Sequence, residues 1–271
     1  MTRAELTRGA VVQQLSAVRD PEYRLFLFHH AGGSAATFRP WQQCFPAGWD
    51  VCAVGLPGRG RLHDRPPLAD CPALIDFLLP AVQPWCAEVP CGFFGHSMGG
   101  LVAYELTRAL LATGAPGPSW LGVSGCLPPR LQRPASRPTG QPLTDEQLRQ
   151  WLGEHSDTPA ELLASDELWQ LFAPAFRADF ALVDSWQPAL DAAPLPVPLA
   201  AFGGLRDQLV TIAQLRLWAE QTELFQGPYG YPGGHFYLTA RPQQIARQIM
   251  LCILLSKGIP ASSGARGRHV E

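Results

Sequence analysis

The sequence predicts an α/β fold built on a mostly parallel central sheet, and three observations lead there. Short apolar runs recur along the chain and are nearly continuous in hydrophobicity instead of alternating, the pattern of strands covered on both faces. Segments of helical spacing separate them, so the order is strand, helix, strand, helix. The 271 residues, 46% hydrophobic and 16% charged, can bury a substantial core and are too apolar for a disordered chain.

The first strand is expected at 24–29, and Pro40 sits where the following helix could begin. A second strand at 51–56 leads into a helix over 71–88 whose pattern is interrupted by Pro80 and Pro84, since an internal proline removes a helical hydrogen bond. The third strand, 91–95, runs into a helix over 98–113 that is apolar almost all round except near Glu105 and Arg108, and so belongs in the interior. Gly114 supplies its stop. Strands at 120–125 and 197–202 follow, then a weaker sixth near 223–227 and a closing helix over 242–257 that opens on Pro242. Residues 261–271 are small and polar and read as a disordered tail.

Between the fourth and fifth strands the alternation stops. Residues 128–190 hold two or three helices and no strand, far beyond the usual connection of about 2 to 6 residues. Capping-box spacing at Thr144 and Gln147, and at Thr158 and Glu161 around Pro159, marks helix starts, and Ser165 precedes Asp166 and Glu167. Trp151, Phe172, Phe176 and Phe180 lie on the helical faces, which makes the block a candidate lid with these four rings as its substrate-binding lining. Ordinary helix packing is the alternative for each ring. The expected organisation is one domain over 1–271 with the lid inserted.

The 21 basic and 23 acidic residues leave a net charge of -2, too small for a global field that would hold a nucleic acid backbone or an anionic membrane. No apolar stretch reaches the roughly 18 residues of a bilayer span, and the opening residues carry no signal-peptide run. The seven cysteines are scattered, without a C-x-x-C pair or a Cys/His grouping of zinc type. Free thiols in the cytoplasm and no metal site are the expectation.

The sharpest motif is Gly95-His96-Ser97-Met98-Gly99, a G-x-S-x-G placed directly after a strand and before a helix. A tight strand-to-helix turn exposes the serine oxygen, flanking glycines relieve crowding, and the helix N-terminus offers N–H groups to developing negative charge. A serine nucleophile needs a base, and His235, in the glycine-rich loop after the last strand, is the candidate. His29 and His30 precede the nucleophile, His96 is locked in the turn, His63 and His155 lie in polar segments, and His269 is in the tail. Asp207, just past the strand at 197–202, is the candidate for orienting His235, while Asp179, Asp184 and Asp191 belong to the helical insertion, where solvated positions are expected. The order Ser, Asp, His is that of the α/β-hydrolases. For the oxyanion hole, the backbone N–H groups of Met98 and of Ala31 are the candidates, although Gly32 and Gly33 could simply shape a turn.

With these motifs assembled, the chain resembles the type II thioesterases, freestanding α/β-hydrolases that serve polyketide synthases, nonribosomal peptide synthetases and some fatty acid synthases. The matching stretches are HAGGSA from His30, LPGRGR from Leu56, FGHSMGG from Phe94, FGGLRD from Phe202 and PGGHF from Pro232. His29 departs from the family, which commonly has proline there, and the lid is the least similar part. The resemblance implies a substrate acyl group on the phosphopantetheine thiol of an acyl or peptidyl carrier protein, removed to edit or unblock the synthase by a monomer with no cofactor. Arg59, Arg61 and Arg65, and Arg130, Arg133 and Arg137, could contact the acidic carrier or the pantetheine phosphate, with solvated loop positions as the alternative. A general carboxylesterase or lipase, an acyltransferase on carrier-bound acyl groups, and a noncatalytic binding protein are the rival readings.

Overall fold

Seven strands, β1 (Val12–Ser16), β2 (Tyr23–Phe28), β3 (Trp49–Val54), β4 (Cys91–His96), β5 (Trp120–Ser124), β6 (Leu199–Gly204) and β7 (Tyr229–Tyr231), form one sheet in the order β1-β3-β2-β4-β5-β6-β7. The computed structural model describes residues 9–132, 143–155 and 158–256. The expectations for 261–271, Arg133, Arg137 and His269 lie outside the described residues. Every pairing is parallel except that of β1 with β3.

The strands β2 to β6 are buried along their whole length, which accounts for their continuous apolar sequences. Alternate side chains point to opposite faces, so Phe26 and Phe28 join one core cluster while Leu25 and Leu27 join the other. The edge strand β1 corresponds to no sequence-based expectation. Its Val-Gln-Gln-Leu-Ser is half polar, runs antiparallel to β3, and breaks register at a bulge between Gln14 and Ser16. The run near 223–227 forms only an isolated bridge from Phe225 to Leu199, and the seventh strand of the ladder starts later, at Tyr229.

The helices are α1 (Cys71–Glu88), α2 (Met98–Ala112), α3 (Asp145–His155), α4 (Ala160–Ala164), α5 (Asp166–Ser185), α6 (Ile212–Leu215) and α7 (Pro242–Ser256). Pro40 does not begin a helix but lies inside a 3-10 helix, Ala35–Cys44, whose start is set by Ser34 accepting the Ala36 N–H. α1 continues through Pro80 and Pro84. Asp70 caps it through the Ala73 N–H at 2.9 Å, and Pro80 and Asp76, whose carbonyl that proline leaves without a helical partner, are both exposed to water.

α3, α4 and α5 occupy the connection from β5 to β6. Thr144 and Gln147 form the expected reciprocal cap, at 3.0 and 3.3 Å, and Ser165 accepts the Leu168 N–H at 3.3 Å. α4 has Pro159 at its N-cap position, one residue after Thr158. These helices share a small core of their own, centred on Leu148, Leu152 and Trp169. All seven cysteines are free thiols, and among the described residues no helix is long and apolar enough to cross a membrane.

Candidate active site

Ser97 joins β4 to α2 in a single residue and has φ 54°, the one positive φ outside glycine among the described residues. Such backbone is costly and persists where surrounding structure enforces it. Here the Ser97 N–H donates to the Ser124 carbonyl at 2.7 Å. A Cβ on Gly95 would fall 2.0 Å from the Gly99 oxygen, and one on Gly99 would fall 2.1 Å from the Phe28 oxygen, so the turn closes only with glycine at both flanks. Met98 begins α2, and its N–H therefore has no carbonyl partner within the helix.

Asp207 lies past the end of β6, 6% exposed, and its Oδ1 accepts the N–H groups of Leu209 and Val210 at 2.8 and 3.1 Å. Its Oδ2 accepts from His235 Nδ1 at 2.8 Å. The two loops are registered by backbone bonds, Leu205 N–H to Tyr231 O at 2.8 Å and Arg206 N–H to Gly233 O at 2.9 Å. With Nδ1 facing a carboxylate the proton belongs there, which leaves Nε2 as an acceptor.

Ser97, Met98, Ala31, His30 and His235 all line one cavity of about 410 Å³. Burial pushes His30 down to about 3, with the neighbouring His29 and His235 acting in the same direction, and burial holds His96 well below the ordinary imidazole range. Both stay neutral beside His235. Trp151 and Phe180 also line the cavity, their rings edge-to-face at 4.8 Å. Phe172 and Phe176 are not on the wall: Phe172 is 43% exposed, and Phe176 stacks on Trp169 at 6.0 Å. Each step of four residues rotates about 40° around a helix, so three phenylalanines four apart on α5 drift from solvent, through the helical core, to the cavity.

A protein-family model described as the Thioesterase domain matches residues 23–251, a span that takes in Ser97, Asp207 and His235. The chain belongs to the thioesterase domain family. It is 36% identical over 215 residues to the gramicidin S biosynthesis protein GrsT of Aneurinibacillus migulanus, covering 79% of this chain and 82% of that protein. Among solved structures, the type II thioesterase BorB from the borrelidin biosynthetic cluster matches with a TM-score of 0.79 and 30% identity, over 90% of this chain and 98% of that one. YbtT, a type II thioesterase from the yersiniabactin NRPS/PKS pathway, gives 0.80 and 28%, over 91% and 99%. The protein is accordingly a thioester hydrolase with an α/β-hydrolase fold.

Two residues of the thioesterase depart from their expected solvated positions. Asp179, on the insertion helix α5, is 2% exposed and pairs with Arg59 through both oxygens, at 2.5 and 2.7 Å. The sequence marks each partner only separately, as an acid three residues after Phe176 on an apolar helical face and an arginine between Gly58 and Gly60, and nothing in it pairs them. Asp184 also lines the cavity instead of facing away from it. Arg130 does behave as a surface residue, paired with the exposed Glu220 at 2.8 Å.

Proposed function

We propose that this thioesterase hydrolyses acyl groups from the phosphopantetheine thiol of acyl or peptidyl carrier proteins, and so edits or unblocks a polyketide synthase or nonribosomal peptide synthetase. The observation that carries the reading is the 2.8 Å bond from His235 to Asp207 at the wall of an apolar cavity that also holds Ser97 in its strained turn. The synthase context is supported by the names of GrsT, BorB and YbtT.

In this mechanism Ser97 Oγ attacks the thioester carbonyl and its proton passes to His235 Nε2, while Asp207 keeps the imidazole oriented and stabilises its charged form. The N–H groups of Met98 and Ala31 hold the oxyanion. As the C–S bond breaks, His235 returns the proton to the leaving sulfur. Water then attacks the acyl-serine, His235 takes its proton, and collapse of the second tetrahedral intermediate releases the acid and restores Ser97. No metal or redox cofactor enters the scheme. The insertion at 128–190 acts as the lid of a single domain, with Trp151 and Phe180 lining the acyl site, and the enzyme works as a cytoplasmic monomer.

Incubation with a panel of acyl-carrier proteins, from acetyl to long chain, tests the reading beside Ser97→Ala. Free acid and free carrier thiol are expected from the parent and not from the variant. Faster cleavage of oxygen esters would favour a carboxylesterase, and acyl product on an added acceptor would favour an acyltransferase.

A further inference from the structure

The loop after β2 carries a clamp that the hydrolytic scheme leaves unused. Asp179 Oδ2 accepts the Gly32 N–H at 2.7 Å as well as Arg59 Nη1 at 2.5 Å, and Oδ1 accepts Arg59 Nη2 at 2.7 Å. Arg59 Nη1 also reaches the Gly33 carbonyl at 3.3 Å, which closes a ring from the Gly32 N–H through carboxylate and guanidinium back to the loop. The other side of Ala31 is fixed too, since the His30 carbonyl accepts from the Gly33 N–H at 3.0 Å and from His29 Nδ1 at 2.8 Å. Independently, Phe176 lies over the same glycine: a Cβ on Gly32, whose φ is +76°, would stand 1.9 Å from its ring. Phe176 and Asp179 are one helical turn apart on α5, so one face of the insertion grips one peptide of the loop.

We infer that Asp179 and Arg59 are positioning residues that hold the Ala31 N–H in oxyanion geometry, making the closed insertion helix a structural part of the oxyanion hole. The inference rests on the proposed role of Ala31. A nearly buried ion pair gains little stability over an apolar replacement, because desolvation offsets the attraction, so directional hold on the loop is the property that only charged, hydrogen-bonding groups supply here. The hold couples lid to chemistry. When α5 moves away from the loop, the Gly32 N–H loses its carboxylate partner and Arg59 loses the Asp179 oxygens that hold it against the Gly33 carbonyl, so the hole loosens with the site open to water.

Asp179→Asn and Arg59→Gln, each checked for folding by thermal melting, are compared with the parent in three readings. These are kcat and KM on an acyl-carrier thioester, affinity for an acyl trifluoromethyl ketone whose adduct with the serine places an oxyanion in the hole, and affinity for a thioether analogue that lacks the carbonyl. Displacing a donor costs less than the roughly 100- to 1000-fold of removing one, so kcat is expected to fall about 10- to 100-fold with ketone affinity falling in step. KM and thioether affinity should stay within about twofold. Unchanged kcat and ketone affinity in either folded variant would overturn the inference, as would equal weakening of ketone and thioether, which marks a collapsed cavity. An inactive parent overturns the catalytic reading itself, whereas an active parent with active variants overturns only the clamp.

Discussion

The imidazole of His96 lies against that of His235, ring centroids 4.9 Å apart and planes at 44°. His96 is itself anchored, with Nδ1 2.8 Å from Ser124 Oγ, which lies 2.7 Å from the Tyr237 hydroxyl. The residue between glycine and serine in the turn is therefore a wall for the His235 ring, whose Nδ1 faces Asp207. His96→Ala removes that wall, and a small misplacement of a reacting group costs up to about 100-fold. Steady-state kinetics should show kcat lowered about 10-fold or more with KM little changed.

Acid should weaken the fold through its buried histidines. Burial, then the nearby Arg59 charge, pushes His29 down to about 3, and burial, then His29, does the same to His30. Unfolded imidazoles titrate near ~6.5, so between those values the unfolded chain binds more protons and stability falls as pH falls, with no change from this source above that range. At pH 5 the loss is about 2 kcal/mol for each of the two. Denaturant unfolding at about pH 7.5 and pH 5 measures it, and His30→Gln should remove part of the difference.

Cys126 lines the cavity beside Ser97, yet burial pushes its thiol up to about 12. Only the thiolate reacts readily. Iodoacetamide near pH 8 should therefore leave Cys126 unmodified and activity intact, with Cys44, the one cysteine that is not buried, alkylated first. Peptide mapping by mass spectrometry reads both.

Trp151 meets Phe180 on the lining of the cavity, so its removal enlarges the proposed acyl site. In Trp151→Ala the preferred acyl chain should become longer. Specificity for a long over a short acyl-carrier, measured as a ratio of kcat/KM, is expected to shift by about tenfold, the scale of one or two methylenes in an apolar pocket.

The doubly covered strands and the turn at Ser97 were legible because burial on two faces and a glycine-flanked serine leave strong local patterns. β1 was not, since an edge strand paired on one side needs no apolar run and Gln13 and Gln14 carry no strand signal. Asp207 and His235 could be placed by their position after strand ends. The Asp179 clamp could not, because it joins residues 120 positions apart and its chemistry appears only when helix α5 lies across two loops. Phe172 and Phe176 share the spacing of Phe180, and only the seating of α5 against helices α1 and α2 and the loop after β2 decides which ring reaches the cavity.

The assignment of Ser97 as nucleophile is tested most directly by a fluorophosphonate probe, with labelled peptides mapped and acyl-carrier hydrolysis followed on the same samples. Label should fall on Ser97 alone, in step with loss of hydrolysis, and His235→Gln should remain folded and unlabelled. Hydrolysis that persists with Ser97 fully labelled, or inactivation by label at another residue, would contradict the assignment.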